Sequence, residues 1–242
     1  MEAIFMLEIK NLSKSYDGKK QACDAITLTI EKGDIYGFVG HNGAGKTTLL
    51  KSIAGILDFD GGDVLIDGIS IKKDPMAAKR KIAYIPDNPD VYESLTGIQY
   101  LDFIADVFEV DLSVRKERIH RYATLFAIQD VLSNPIASYS HGMKQKLVLI
   151  SALIHDPKIM LLDEPFVGLD PQASFQVKEL FRDMCDKGAL IFFSTHVLEV
   201  VEKLCNKVAI IKQGKIVANG DTSSIIKDQS LEHLFMELIK ES

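Results

Sequence analysis

The chain has 242 residues, 47% hydrophobic and 26% charged, enough apolar material for the core of one large domain or two modest lobes. A formal net charge of −6 excludes the basic footprint of a protein whose main partner is nucleic acid, although it leaves a local basic patch open. The three cysteines, Cys23, Cys185 and Cys205, lack both the density of a secreted disulfide scaffold and the spacing of a metal site.

They are read as free thiols in a reducing cytosol. The segment Met1–Glu8 has no basic region or cleavage site, so no signal peptide is expected. No apolar run approaches the roughly 18 residues of a membrane span, so any membrane role must come through a partner.

In chain order, Leu7–Leu12 and Ala25–Ile30 alternate apolar and polar residues, which predicts two antiparallel strands. Between them Ser13–Lys19 reads as a turn bearing an exposed Tyr16. The apolar run Ile35–Val39 is followed by Gly40-His41-Asn42-Gly43-Ala44-Gly45-Lys46-Thr47-Thr48 and by a helical segment from Leu49 to Leu57. Gly62–Gly68 is a short β element, and Lys81–Pro86 a strand that stops at its proline. Helical periodicity governs Ile98–Phe108, Ser113–Phe126 and the segment after Ser140. The runs Lys158–Asp163 and Ala189–Ser194 are almost continuously apolar, as in strands buried on both faces. Val208–Val217 predicts a hairpin turning at Gln213-Gly214. Leu231, Leu234, Phe235 and Leu238 mark one face of a C-terminal helix. The expected fold is α/β: a P-loop core with a mixed parallel sheet over 1–89 and 158–242, an antiparallel β lobe at its N-terminus, and a helical insertion over 90–157.

Three constellations bear chemistry. Strand, glycine-rich turn and helix around Gly40–Thr48 form a phosphate-binding loop. Its glycines let successive N–H groups point at one anion, and the helix N-terminus adds a positive dipole. Lys46 would reach the β- and γ-phosphates of a nucleoside triphosphate, and the Thr47 hydroxyl would ligate Mg²⁺. Asp163-Glu164 closes a buried strand with adjacent acids, a costly arrangement without a cation nearby. Asp163 fits the Mg²⁺ shell and Glu164 the attacking water. His196 follows the strand ending at Ser194, which a parallel core would bring beside the phosphate loop, as a γ-phosphate sensor or water-positioning group. Tyr139–Lys146 opens a further helix, with Ser140 as its N-cap.

The order of these segments, with Gly168-Leu169-Asp170 after the paired acids, resembles the nucleotide-binding subunit of an ATP-binding cassette (ABC) transporter over essentially the whole chain. The resemblance implies that Tyr16 stacks on adenine, that Gly40–Thr48 is the Walker A loop, and that Asp163-Glu164 is the Walker B pair. It makes His196 the switch histidine and Asp170 part of the D-loop. Ser140, His141, Gly142 and Met143 occupy the signature segment, which in the family touches the γ-phosphate held by the other subunit of a head-to-tail dimer. ATP with Mg²⁺, a transmembrane permease subunit, a second copy or paralogous cassette, and a peripheral location on the cytoplasmic face of the membrane are implied with it. Two ATP molecules would join the cassettes and hydrolysis would release them.

Two departures stand out. The signature reads Tyr-Ser-His-Gly-Met where Leu-Ser-Gly-Gly-Gln is usual, a variation similar to bacterial exporters of the drug, antibiotic and sodium-efflux type. Asp87 stands where a glutamine that touches Mg²⁺ is usual, and is expected in the metal shell. After it, Pro89, Val91, Tyr92 and Leu95 are expected to line an apolar groove for the permease. Export is favoured by the signature and the short C-terminal helix.

The competing reading is a soluble ABC-type ATPase acting on nucleic acid or ribosomes; the acidic charge and absence of long coiled-coil or zinc insertions argue against it. A GTPase is excluded because Asn206-Lys207-Val208-Ala209 lacks the aspartate that reads guanine. A dinucleotide fold is excluded because Gly43-x-Gly45 continues to Lys46-Thr47-Thr48 rather than to a third glycine.

Overall fold

The computed structural model describes residues 5–16, 18, 20–88, 91–226 and 229–240, the last two without their side chains. Alternation in the first third of the chain builds an antiparallel sheet of order β2-β1-β4-β5, from β1 (Phe5–Tyr16), β2 (Lys20–Glu31), β4 (Gly61–Ile66) and β5 (Ile69–Ser70). Leu7, Ile9 and Leu12 of β1 face Ile26, Leu28 and Ile30 of β2 across a wholly buried layer.

Ser13–Tyr16, expected in a turn, instead continue β1, with Tyr16 opposite Lys20 and Ser15 opposite Gln21. Register shifts between Ile9 and Ser15 break the period-two pattern that marks a strand in sequence, which is why the extension is hidden there. The Asp60 carboxylate, accepting from the Ser15 amide at 2.7 Å, also holds this end in place. Asp17 and Lys19 of the expected turn lie outside the described residues.

The second sheet has the order β10-β9-β3-β8-β7-β6. Its parallel strands are β3 (Ile35–Val39), β6 (Ile82–Ile85), β7 (Ile159–Asp163), β8 (Leu190–Thr195) and β9 (Lys207–Lys212); β10 (Lys215–Asp221) joins antiparallel to β9. Every residue of β3, β7 and β8 is buried, because both faces are covered, and this explains their unbroken apolar sequences. On one face Tyr36, Phe38, Leu161 and Phe192 pack against the antiparallel sheet and α1 (Lys46–Ile53). On the other, Val39, Leu162, Ile191 and Phe193 pack against later helices. The β9–β10 hairpin turns at Gln213 and Gly214, both with positive φ, as a two-residue turn matching strand twist requires.

After α2 (Pro75–Lys79) and β6 the chain is helical: α3 (Gly97–Val107), α4 (Leu112–Leu125) and α5 (His141–Leu153) precede β7. A capping box starts α3, in which the Thr96 hydroxyl accepts from the Gln99 amide and the Gln99 side chain accepts from the Thr96 amide. Arg115 of α4 ties back to α3 through Asp102 at 3.5 Å and through Asp106. Then come α6 (Pro171–Asp186), α7 (Leu198–Leu204), α8 (Thr222–Ile226) and α9 (Leu231–Lys240). Val91 and Leu95 are partly buried and pack against the core, while Tyr92 stays exposed. Pro89 lies outside the described residues. All three cysteines are buried and free.

Candidate nucleotide site

The phosphate loop spans the end of β3 and the start of α1, at the carboxyl edge of the parallel sheet, where open α/β sheets bind ligands. Gly45 precedes α1 at φ 114°, and a Cβ there would lie 2.1 Å from the Ala22 carbonyl oxygen, so both conformation and space demand glycine. No side chain caps α1, which leaves its first N–H groups available to an anion. Gly40, His41, Asn42, Gly43 and Ala44 complete the loop. A cleft of about 310 Å³ opens against it, lined among others by Tyr16, Asn42, Thr48, Asp87 and Glu164.

Lys46 folds back on its own loop: Nζ donates to the Gly40 carbonyl at 2.6 Å and the His41 carbonyl at 3.3 Å. Burial lowers its pKa, and the negative charges of Glu164 and Asp163 oppose that shift. Both carboxylate oxygens of Asp163 are engaged. Oδ2 accepts from the Thr47 hydroxyl at 2.6 Å, and Oδ1 accepts from Ser194, its neighbour across β7 and β8.

Glu164 adopts a positive φ of 51°, uncommon for a side-chain-bearing residue, with its amide bonded to the Ser194 carbonyl at 3.0 Å. That backbone turns its carboxylate toward the cleft. There Oε2 accepts from the Thr195 hydroxyl at 2.9 Å and Oε1 lies 2.8 Å from His196 Nδ1. So the structure brings His196 onto Glu164 rather than onto the loop itself. Tyr16 stands at the outer rim, exposed, its hydroxyl 3.4 Å from Thr48 Oγ1. Asp87 lines the cleft, and its Oδ1 accepts from the next amide, Asn88, at 2.9 Å.

Two participants were not assigned from sequence. Ser194 and Thr195 hold the paired acids from β8; two hydroxyls ending an apolar strand were the available signal. Nearby but outside the lining of the cleft, Tyr84 of β6 has a buried hydroxyl with no hydrogen-bond partner among the described residues. Burial raises its pKa, and the charges of Asp163 and Asp87 raise it further. The donor set here is a threonine hydroxyl and two carboxylates, of Thr47, Asp87 and Asp163. All are hard oxygens, and the set fits a small divalent cation such as Mg²⁺.

The second polar cluster lies at the start of α5, outside the lining of the cleft. Ser140 is exposed and caps the helix by accepting from the Met143 amide at 3.3 Å. The His141 ring covers Gly168, where a Cβ would approach its Cδ2 to 2.5 Å, and Gly142 packs against the Gly168 carbonyl. Asp170 caps α6 through the Ala173 amide at 2.8 Å and bonds Lys146 of α5 at 2.8 Å. The signature segment and the Gly168–Asp170 turn therefore form one unit.

The ABC transporter family model matches residues 23–167, more than half the chain and spanning every motif from the loop to the paired acids. The chain belongs to the ABC transporter family. An ATP-binding subunit of an ABC transporter is similar in structure, with a TM-score of 0.92 and 32% identity over 97% of this chain and 99% of that one. Among curated relatives, the ABC transporter ATP-binding protein NatA of Bacillus subtilis is 32% identical, over 96% of this chain and 97% of its own length. An uncharacterized ABC transporter ATP-binding protein of Nostoc is 37% identical over 86% of this chain, which spans 62% of that protein. As an ABC ATPase the chain binds and hydrolyses ATP.

Proposed function

We propose that this cassette powers a separate membrane-spanning subunit, most plainly an exporter, by closing on ATP against a second copy of itself. The observation that supports it most is the Glu164 carboxylate, held on both oxygens by Thr195 and His196 at the rim of the cleft that Lys46 and Thr47 also line. That placement suits a group that orients and deprotonates a water attacking the γ-phosphorus, with ADP as the leaving group. His196 fixes the carboxylate's direction. On triphosphate binding, Lys46 exchanges the Gly40 and His41 carbonyls for phosphate oxygens, a better partner for a cation. Thr47, Asp163 and Asp87 are the residues to hold Mg²⁺, whose charge would offset that of the phosphates.

The second cassette's Ser140 and Gly142 would close the cleft from the other side. Residues 90–157 would act as the arm that carries them. Among the described residues no helix is long and apolar enough to cross a membrane; in this reading a separate subunit spans it and the cassette docks at the cytoplasmic face. The exposed Tyr92 and Phe103, in edge contact with ring centroids 5.8 Å apart, offer that partner an aromatic face. Export rests on the His-Gly-Met signature.

Glu164→Gln tests the catalytic half of the proposal. It should lower steady-state ATP hydrolysis by about 10²–10⁴-fold while leaving ATP binding in equilibrium dialysis unchanged. Normal turnover in that variant would remove Glu164 from the catalytic role.

A further inference from the structure

The phosphate loop is gripped unevenly. Gly40 rests on the end of β9, where a Cβ would come within 2.7 Å of both the Ile211 side chain and its carbonyl oxygen. The Ala44 carbonyl accepts from the Gly214 amide at 2.9 Å. Between these anchored points, residues 41–43 are exposed. There the His41 ring packs on Phe235 of α9, centroids 5.1 Å apart and planes at 58°.

That helix is itself fastened at several points. Leu231 is fully buried, and its amide donates to Glu202 of α7 at 3.3 Å. Leu234 and Leu238 pack against the core, and Phe235 is 8% exposed. Lys212, next to Ile211 at the end of β9, donates to the Leu238 carbonyl at 2.9 Å, placing a cation where the helix dipole is negative. One strand end thus supports both the loop and the helix that touches it.

His41 is the hinge of the loop's internal bonding. Its carbonyl accepts from the Ala44 amide at 3.1 Å and from Lys46 Nζ at 3.3 Å, so a shift of His41 disturbs both the curl of the loop and the resting place of Lys46. We propose that Phe235 is a positioning residue for ATP binding: through His41 it holds the loop in the curl that aims its amides at phosphate. Since binding couplings are reciprocal, ATP in the loop must in turn tighten α9. The proposal rests on the cleft being the ATP site.

The test uses the full chain. Phe235→Ala should raise the Kd and KM for MgATP about 3- to 10-fold, the range of an aromatic pair, with kcat little changed. Phe235→Tyr, which keeps the ring, should restore both. In the wild type, MgATP should slow amide hydrogen exchange across residues 231–238 as well as in the loop. Should Phe235→Ala fail to fold, Phe235→Leu takes its place with the same expectation. A wild-type chain that does not bind MgATP overturns the nucleotide reading and this one together. Unchanged MgATP affinity in the Phe235 variant, or α9 exchange indifferent to MgATP, overturns the positioning role alone.

Discussion

At the carboxyl ends of β7 and β8 each carboxylate oxygen of Asp163 and Glu164 meets a hydroxyl or an imidazole. At the start of α5, by contrast, Ser140 accepts one amide and is otherwise exposed, with Gly142 beside it and no part in the cleft. Both are polar clusters at element ends, yet one is closed on itself and the other faces outward. A network whose acceptors are all met holds charges at fixed positions before substrate arrives, which is what an electrostatic site needs. An exposed capped helix start held against a neighbouring turn has the opposite character: its geometry is set and its ligand must come from outside. The contrast is what a site divided between two chains would produce.

The comparison breaks first at Lys46. Lys46→Ala removes a cation whose resting bonds lie within the loop, and should weaken ATP binding about 100-fold by isothermal titration, the worth of charge-assisted bonds to phosphate. A loss no larger than that of a surface lysine would mean that the closed half is not preorganised around phosphate.

A smaller effect sharpens the comparison where the helical segment meets the core. His155, just after α5, stacks on Phe108 with centroids 3.7 Å apart, sets Nε2 3.2 Å from the Ile82 carbonyl, and leaves Nδ1 buried with no hydrogen-bond partner among the described residues. Burial lowers its pKa from 6.5 to about 4. A depressed pKa means the unfolded chain takes up the proton first. The stability from keeping His155 neutral is therefore whole above pH 6.5 and is lost as pH falls toward 4. The loss should total roughly 2–3 kcal/mol in urea unfolding across that window, and His155→Phe should flatten it. An unchanged pH profile in the variant would place the acid sensitivity elsewhere.

Much of this was legible in the residues, for local reasons. The phosphate loop declares itself because glycine spacing, the preceding apolar strand and Lys46-Thr47 all lie within a few positions. The buried strands declare themselves because both their faces are covered. What was hidden depends on distance along the chain. Register shifts concealed the far half of β1. The backing of Asp163 by Ser194 arises only when β7 and β8 lie side by side. That Val91 and Leu95 pack partly against the core while Tyr92 stays exposed depends on the surrounding helices and not on composition. The contact of His41 with Phe235 joins residues from opposite ends of the chain, beyond any spacing rule.

The claim at the centre is that the outward-facing cluster completes the closed one in a second copy. Sedimentation of the Glu164→Gln chain with and without MgATP tests it most directly. The account predicts a monomer that becomes a dimer on adding MgATP and reverts when the nucleotide is removed. A chain that binds MgATP to saturation and still sediments as a monomer would contradict it.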